Sequence, residues 1–375
     1  ALQRNASLLS LQAELAATRA RLAGASLLVQ ENPELDLAAG PRWSGGARST
    51  DWEVGISQRL EPYGQRGLRM EAARQIVAAA EARLEMRRVE VAAAVRTAFY
   101  RALASGEQAK LTGEAYELAE EALKAAEARQ RSGAASTIEV NAARIAFGRS
   151  ARERSEAAQR RTSAIGALIV LLGLDAREDF TLKGRIDPGE AQPVDGDVLM
   201  KTAIERRADL AAARRELEAA RAEARLAGRA ALPSPRVGVS YAEEEGAQIL
   251  RGGLSFGLPL VQRNQAERGV TNARVEQSER AAEALERTIR AEVMIAVERL
   301  RNAAAAAKAF GGAAITSAHE NLQLVNEAYR AGKVDLFQLL VIRREAVDAR
   351  TAYLSSLEEL AAAEAEAKRV SGSVR

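Results

Sequence analysis

The chain contains no cysteine. Disulfides, thiolate metal sites and cysteine nucleophiles are therefore excluded. It has one histidine, His319, and its four methionines (Met70, Met86, Met200 and Met294) do not cluster. The converging soft or imidazole ligands of a transition-metal site are missing, so neither a metal nor another cofactor is expected. No Gly-rich phosphate loop, Ser/His/Asp set or HExxH pattern is present. With no residues to carry catalysis, an enzyme is not expected. The longest apolar run, Ala164 to Leu174, falls short of the roughly 20 residues of a transmembrane helix. A membrane crossing would have to be a β-barrel. No signal peptide appears at Ala1, where a helical pattern starts directly, as expected of a processed chain.

Aromatic residues make up only 4% of the chain, although 47% is hydrophobic. An Ala-rich, charge-rich sequence of that kind favours long helices packed through narrow seams over thick cores. The 54 Lys and Arg against 51 Asp and Glu give a net charge of +3, and stretches such as Glu81 to Glu90 mix both signs. Mixed runs suit solvated helix faces, so nucleic acid is not an expected partner.

All eight prolines lie at positions 33, 41, 62, 188, 193, 233, 235 and 259, leaving 63–187 and 260–375 free of them. An interior proline costs a helix about 3 kcal/mol, so long helices belong in those two gaps. Val77, Leu84, Val91 and Ala98 recur every seven residues; Ile289, Val293, Ala296 and Leu300 step by four, three and four; Leu340, Val347, Leu354 and Ala361 again recur every seven. These spacings predict coiled-coil-like seams. A helix over 66–130 would reach roughly 100 Å.

Two short segments have period two instead. In 33–60, Leu35, Leu37 and Ala39 alternate, then, after a turn at Ser44-Gly45-Gly46-Ala47, Trp52, Val54 and Ile56 alternate. In 235–260, Val237, Val239 and Tyr241 alternate, and past an acidic run Leu254, Phe256 and Leu258 do so. Each segment reads as a β-hairpin with one apolar and one small or polar face. Helical stretches at Leu2 to Val29 and Leu199 to Ala231 precede them, and Gly-marked breaks at Gly133 and Gly332 follow. The chain is thus a tandem duplication, 1–190 and 191–375, with tips near 133 and 332.

Four strands of about ten residues cannot close a barrel alone, and open edges are hazardous in lipid or water, so oligomerisation is expected. The strand length and alternation match a transmembrane barrel, with Trp43, Trp52 and Tyr241 placed for an interfacial girdle. Three protomers would supply twelve strands. The duplicated plan, the hairpin exits Val54-Gly55-Ile56-Ser57-Gln58 and Leu254-Ser255-Phe256-Gly257-Leu258-Pro259-Leu260, and the Arg-x-Gly tips resemble the TolC-type outer-membrane factors over nearly the whole chain.

The resemblance implies a mainly α protein with a small β part. Its long antiparallel helices would form a periplasmic coiled-coil barrel, and its four strands would join a shared 12-stranded transmembrane barrel in a homotrimer. The implied function is the passive exit duct of a tripartite efflux system in the outer membrane of a Gram-negative bacterium. The implied partners are a periplasmic membrane-fusion adaptor and an inner-membrane pump of the RND type. The membrane-facing residues would be Leu35, Leu37, Trp52, Val54, Ile56, Val237, Val239, Tyr241, Leu254, Phe256 and Leu258. An equatorial segment would fall at about 176–200. Gly133, Thr137, Glu139 and Val140, and Gly332, Asp335, Leu336, Gln338 and Leu339, match the family's helical-hairpin tips, where an adaptor would dock.

Glycine lets the chain leave one helix in a left-handed conformation, and Ser136 or Asp335 is expected to cap the next. Gln338 stands where the first tip has Glu139, which argues against a gate needing carboxylates at both tips. Glu243, Glu244 and Glu245 read as a solvated extracellular loop or, if a trimer converges them, a cation-attracting ring. The Val-Gly-Ile-Ser-Gln exit and Gly64-Gln65-Arg66-Gly67 look most like the heavy-metal branch (cobalt-zinc-cadmium or copper type), with other small toxic compounds as the alternative cargo. A soluble coiled-coil scaffold or adaptor is the competing reading, and it leaves the two alternating hairpins unexplained.

Overall fold

The computed structural model describes residues 2–44, 47–175, 181–186, 195–244, 246–311 and 313–373. Gly45, Gly46, Glu245 and much of the expected equatorial segment lie outside them. Among the described residues the order is α1 (Ala6–Ala25), β1 (Glu34–Ser44), β2 (Ala47–Arg59), α2 (Gln65–Arg131), α3 (Thr137–Leu172), α4 (Gly196–Arg206), α5 (Ala208–Arg229), β3 (Pro235–Glu244), β4 (Ala247–Phe256), α6 (Gln265–Gly311), α7 (Ala313–Arg330) and α8 (Leu336–Val370). Within the proline-free gaps, Gln65–Arg131, Thr137–Leu172, Gln265–Gly311, Ala313–Arg330 and Leu336–Val370 are helical, as expected. None of the described helices is long and apolar enough to cross a membrane.

One expected helix is divided. The stretch Leu199 to Ala231 breaks between α4 and α5 at Arg207, which is extended (ψ 122°). The first long helix, α2, runs for 67 residues.

The chain forms two compact units that are not the two repeats, because each draws segments from both. One comprises Ser10–Glu85 and Ala208–Arg287 and contains the sheet. Its helices pack through small residues, with Ala72, Ala79, Ala219, Ala222 and Ala227 buried beside Leu84 and Leu210. Charged pairs flank that narrow seam: Arg19 with Glu81 at 2.8 Å, Arg225 with Glu71 at 2.7 Å, and Arg83 with Glu216. Such exposed pairs contribute at most about 1 kcal/mol each, so burial of the alanine seam carries the packing.

The other unit comprises Ala1–Leu9, Met86–Arg207 and Thr288–Arg375. Ile289, Val293, Ala296 and Leu300 are buried, as their spacing predicts. In α8 the buried stripe is Leu339, Ala346, Leu357, Leu360, Ala361, Ala363 and Ala367. Leu340, Val347 and Leu354 lie half-buried beside it, so the seam is rotated from the predicted one. At the C-terminus of α3, Gly173 adopts φ 66°, and a Cβ there would fall 2.5 Å from the Arg4 carbonyl oxygen. The adjacent Asn5 amide donates to the Leu171 carbonyl at 3.0 Å, fixing the N-terminal segment against α3.

Candidate functional site: an amphipathic sheet and two helical tips

The four strands form one antiparallel sheet in the order β1-β2-β3-β4. Directly paired residues share a face. Leu37 pairs with Val54, Val54 with Tyr241 and Tyr241 with Leu250, so one apolar row crosses all four strands. Leu35, Ile56, Val237, Val239, Leu254 and Phe256 extend that face, and all of them are exposed in the protomer. Tyr241 is half-buried against Trp52, with ring centroids 5.4 Å apart. Leu250, 74% exposed, belongs to this face although its alternation with Arg251 and Gly252 gives only a weak sequence signal. Leu258 lies beyond β4, past the end of the ladder.

The opposite face holds the row Asp36, Gly55, Ser240 and Arg251. Ion pairs cover it: Arg42 with Asp51 at 2.5 Å, Arg251 with Glu244 at 2.6 Å, and Arg236 with Glu34. Period two thus sorts hydrocarbon from charge through the middle of the sheet, while Arg48 and Glu243, opposite Trp43 and Trp52, bring charge to the apolar face near the hairpin turns.

The acidic run is not a loop as far as Glu244, because β3 continues through it. The strand alternation sends Glu243 and Glu244 to opposite faces. Glu243 accepts from the Trp52 indole at 3.2 Å, whereas Glu244 is bound by Arg42 and Arg251. Neither is a freely solvated carboxylate, and Glu245 lies outside the described residues.

The two tips are built alike. Gly133 (φ 75°) and Gly332 (φ 70°) end their helices, while the Ala134 N–H donates to the Arg129 carbonyl and the Lys333 N–H to the Ala328 carbonyl, both at 2.8 Å. These closures satisfy the last helical carbonyls. The next helix starts with a capping box at each tip. Ser136 Oγ accepts from the Glu139 N–H at 3.2 Å, and Glu139 Oε1 accepts from the Ser136 N–H. Asp335 Oδ1 accepts from the Gln338 N–H at 2.8 Å, and Gln338 Oε1 accepts from the Asp335 N–H. Glu139 and Gln338 are therefore equivalent for a physical reason, since each supplies one side-chain oxygen to a cap.

Val140, Leu336 and Leu339 are buried with Ala122, Ala126, Ala143 and Val325. They hold the tips together, while Gly133, Thr137, Gly332, Asp335 and Gln338 stay exposed. A cavity of about 370 Å³ opens behind the tips, lined by Leu118, Ile145, Phe337, Val341 and Arg343 among others. The guanidinium of Arg343 donates to Asn326 Oδ1 at 2.6 and 3.1 Å and to the Leu118 carbonyl at 3.4 Å. Burial pushes its pKa down from the ordinary arginine value. His319 lies within 3.2 Å of Gln323 on α7, and among the described residues no group of His, Cys, Asp and Glu could hold a metal ion.

A bilayer-sized sheet with one hydrocarbon face, carried on paired helices that cannot themselves span a membrane, defines a membrane protein that inserts through β-strands. A family model described as outer membrane efflux protein matches residues 1–174 and 199–373. The chain belongs to this family, and it is an outer-membrane protein of efflux. It is 25% identical over 305 residues to the cobalt-zinc-cadmium resistance protein CzcC of Cupriavidus metallidurans, spanning 80% of this chain and 71% of that protein. Among solved structures, a membrane protein from Pseudomonas aeruginosa superposes with a TM-score of 0.81 at 20% identity, covering 99% of this chain and 91% of that one. The open state of the Neisseria gonorrhoeae MtrE outer membrane channel gives 0.81 at 22%, covering 99% and 87%. These superpositions establish the shared fold.

Proposed function

We propose that three copies of this chain form the exit duct of a tripartite efflux system. The duct takes metal cations from a periplasmic adaptor and an RND-type inner-membrane pump and passes them outward without catalysis. The observation that carries this reading is the sheet itself: β1 and β4 are both open edges of a sheet whose apolar face is exposed. In hydrocarbon every backbone polar group needs a partner, and three four-stranded sheets joined edge to edge supply all of them. The polar face then lines a water-filled lumen. A soluble scaffold would leave the Leu37, Val54 and Leu250 row in water.

The metal cargo is supported by the likeness to a cobalt-zinc-cadmium resistance protein. In this reading the cation only passes through, since the described residues offer no coordinating cluster. The exposed tip residues Gly133, Thr137, Gly332, Asp335 and Gln338 are the docking surface for the adaptor, and Glu139, Val140, Leu336 and Leu339 shape it from within.

Deleting the gene and measuring growth on cobalt, zinc, cadmium and copper alongside a dye panel tests the cargo. Sensitisation to the metals with dyes unchanged is expected. Sensitisation to the dyes alone would overturn the metal assignment. A detergent-free monomer in solution would overturn the duct.

A further inference from the structure

We infer that the cavity behind the tips binds a small amphipathic carboxylate, with Arg343 anchoring its headgroup and the apolar wall taking its tail. The site goes beyond the duct reading and is built from one protomer alone.

The two halves of the chain diverge at this point. In the first half, Arg144 on α3 reaches back 17 residues to Glu127 on α2, in an exposed ion pair at 3.1 Å. The same geometry recurs at Arg343, which stands to Arg144 in the sequence as Gly332 stands to Gly133. Arg343 on α8 also reaches back 17 residues, to α7, but its acceptor there is the amide of Asn326. Arg144 is exposed, whereas Arg343 is half-buried. The arginine that has left water is thus the one without a counter-charge, the reverse of what desolvation favours. Among the described residues Arg343 forms no ion pair; Glu121 attracts it from farther away, and burial is the stronger influence.

The guanidinium is held but not saturated. Its Nε and Nη2 donate to one oxygen of Asn326, and Nη1 donates to the Leu118 carbonyl at 3.4 Å. A guanidinium carries five N–H groups, so two remain for a ligand. Fixed in this way, the planar fork is preorganised for a carboxylate.

Hydrocarbon lies beside the fork. Leu118, Ile145, Phe337, Leu340 and Val341 line the same cavity of about 370 Å³. Ile145 and Val341 are 66% and 55% exposed, so the wall is open to water in the protomer. Four arginines against three carboxylates line the cavity, and one of those carboxylates, Asp348, already pairs with Arg344 at 3.5 Å. The balance favours an anion. A volume at the lower end of the roughly 300–1,000 Å³ usual for ligand pockets suits a tail of about eight carbons. The occupant must put a carboxylate on the fork and continuous hydrocarbon on the wall at once. A fatty carboxylate does so; an Asp or Glu side chain of a partner protein, with its backbone amide alongside, does not.

The test uses the full-length protein in phosphatidylcholine nanodiscs, with empty nanodiscs subtracted. Equilibrium dialysis at neutral pH compares radiolabelled octanoate with octanamide, its uncharged counterpart. Octanoate is expected to bind once per protomer, at least about tenfold more tightly than octanamide. Asn326→Glu gives Arg343 the counter-charge that Arg144 already has, and should weaken octanoate at least about tenfold while leaving octanamide unchanged. Arg343→Gln should do the same, and serves alone if Asn326→Glu loses helical circular dichroism. Glu127→Asn, in the first half, should change neither ligand. Octanoate binding no tighter than octanamide, or unaffected by Arg343→Gln, overturns the site. If Asn326→Glu impairs metal resistance in cells while the wild-type protein binds no octanoate, the cation serves a protein partner and the small-ligand site falls. Failure of the duct reading would leave these binding ratios untouched.

Discussion

The guanidinium of Arg207 donates to Glu292 Oε2 at 2.5 Å, with the Arg207 side chain 2% exposed and Glu292 half-buried. Arg369 reaches the same oxygen at 3.3 Å and also binds Glu366 at 2.8 Å. The chain breaks between α4 and α5 where Arg207 enters this cluster, so the ion network and the helix break form one feature. Arg207→Ala should destabilise the fold by about 2 kcal/mol, because it removes the buried partner of Glu292 and leaves that carboxylate with Arg369 alone at 3.3 Å. Arg207→Lys should recover part of that. Urea denaturation followed by helical circular dichroism is the measurement, and an Ala variant within 0.5 kcal/mol or so of wild type would show that the network contributes little.

Gly173 and Gly133 both have positive φ, but only Gly173 has a backbone neighbour in the path of a Cβ. Gly133→Ala should cost about 1 kcal/mol, the ordinary left-handed penalty. Gly173→Ala should cost clearly more, because the new methyl meets the Arg4 carbonyl. Equal melting temperatures for the two variants would contradict this ordering.

Val239 lies midway along β3 on the apolar face. Val239→Arg places a charge at the bilayer centre at about 2–4 kcal/mol, so the protein should be depleted from the outer-membrane fraction. Val239→Leu should insert normally. Wild-type abundance of the Arg variant would mean that this face does not meet lipid.

Two carboxyls on α8 should give opposite pH signatures. Burial pushes Glu364 up from its ordinary value, whereas a hydrogen bond from Arg369 holds Glu366 down. A raised acid penalises the fold as pH climbs through its folded value, so Glu364→Gln should raise the melting temperature at neutral pH and lose that advantage in acid. A depressed acid stabilises above its unfolded value and is lost as pH falls through its folded one, so Glu366→Gln should lower the neutral melting temperature and match wild type in acid. Melting curves from pH 3 to 8 or so check both signs.

Much of the fold was legible in the sequence because its rules are local. Proline exclusion placed α2 and α6, and period two placed β1, β2 and the start of β3 to within a residue or two, whereas β4 begins at Ala247, well before the alternation at Leu254. Ser136 and Asp335 were recognisable as caps. The meaning of Gln338 against Glu139 was not, because it depends on a side-chain oxygen folding back onto its own helix start. Leu250 escaped notice because Arg251, Gly252 and Gly253 follow it, and only the ladder assigns its face. The boundary between loop and strand at Glu243–Glu244 was equally hidden: three successive glutamates read as solvated unless the indole of Trp52 and the arginines at 42 and 251 are known to lie opposite.

By itself the sequence determined the element types and most of the sorting of apolar from polar faces, since each follows from residue spacing and backbone chemistry along one stretch of chain. Tertiary structure alone decided which tip residues are core and which are surface, where the α8 seam falls, and that Arg207, Glu292 and Arg369 share a site. Those outcomes depend on groups 77 and 85 residues apart being brought within hydrogen-bond distance. In a chain that mixes charges this evenly, only packing selects the pairs that leave water.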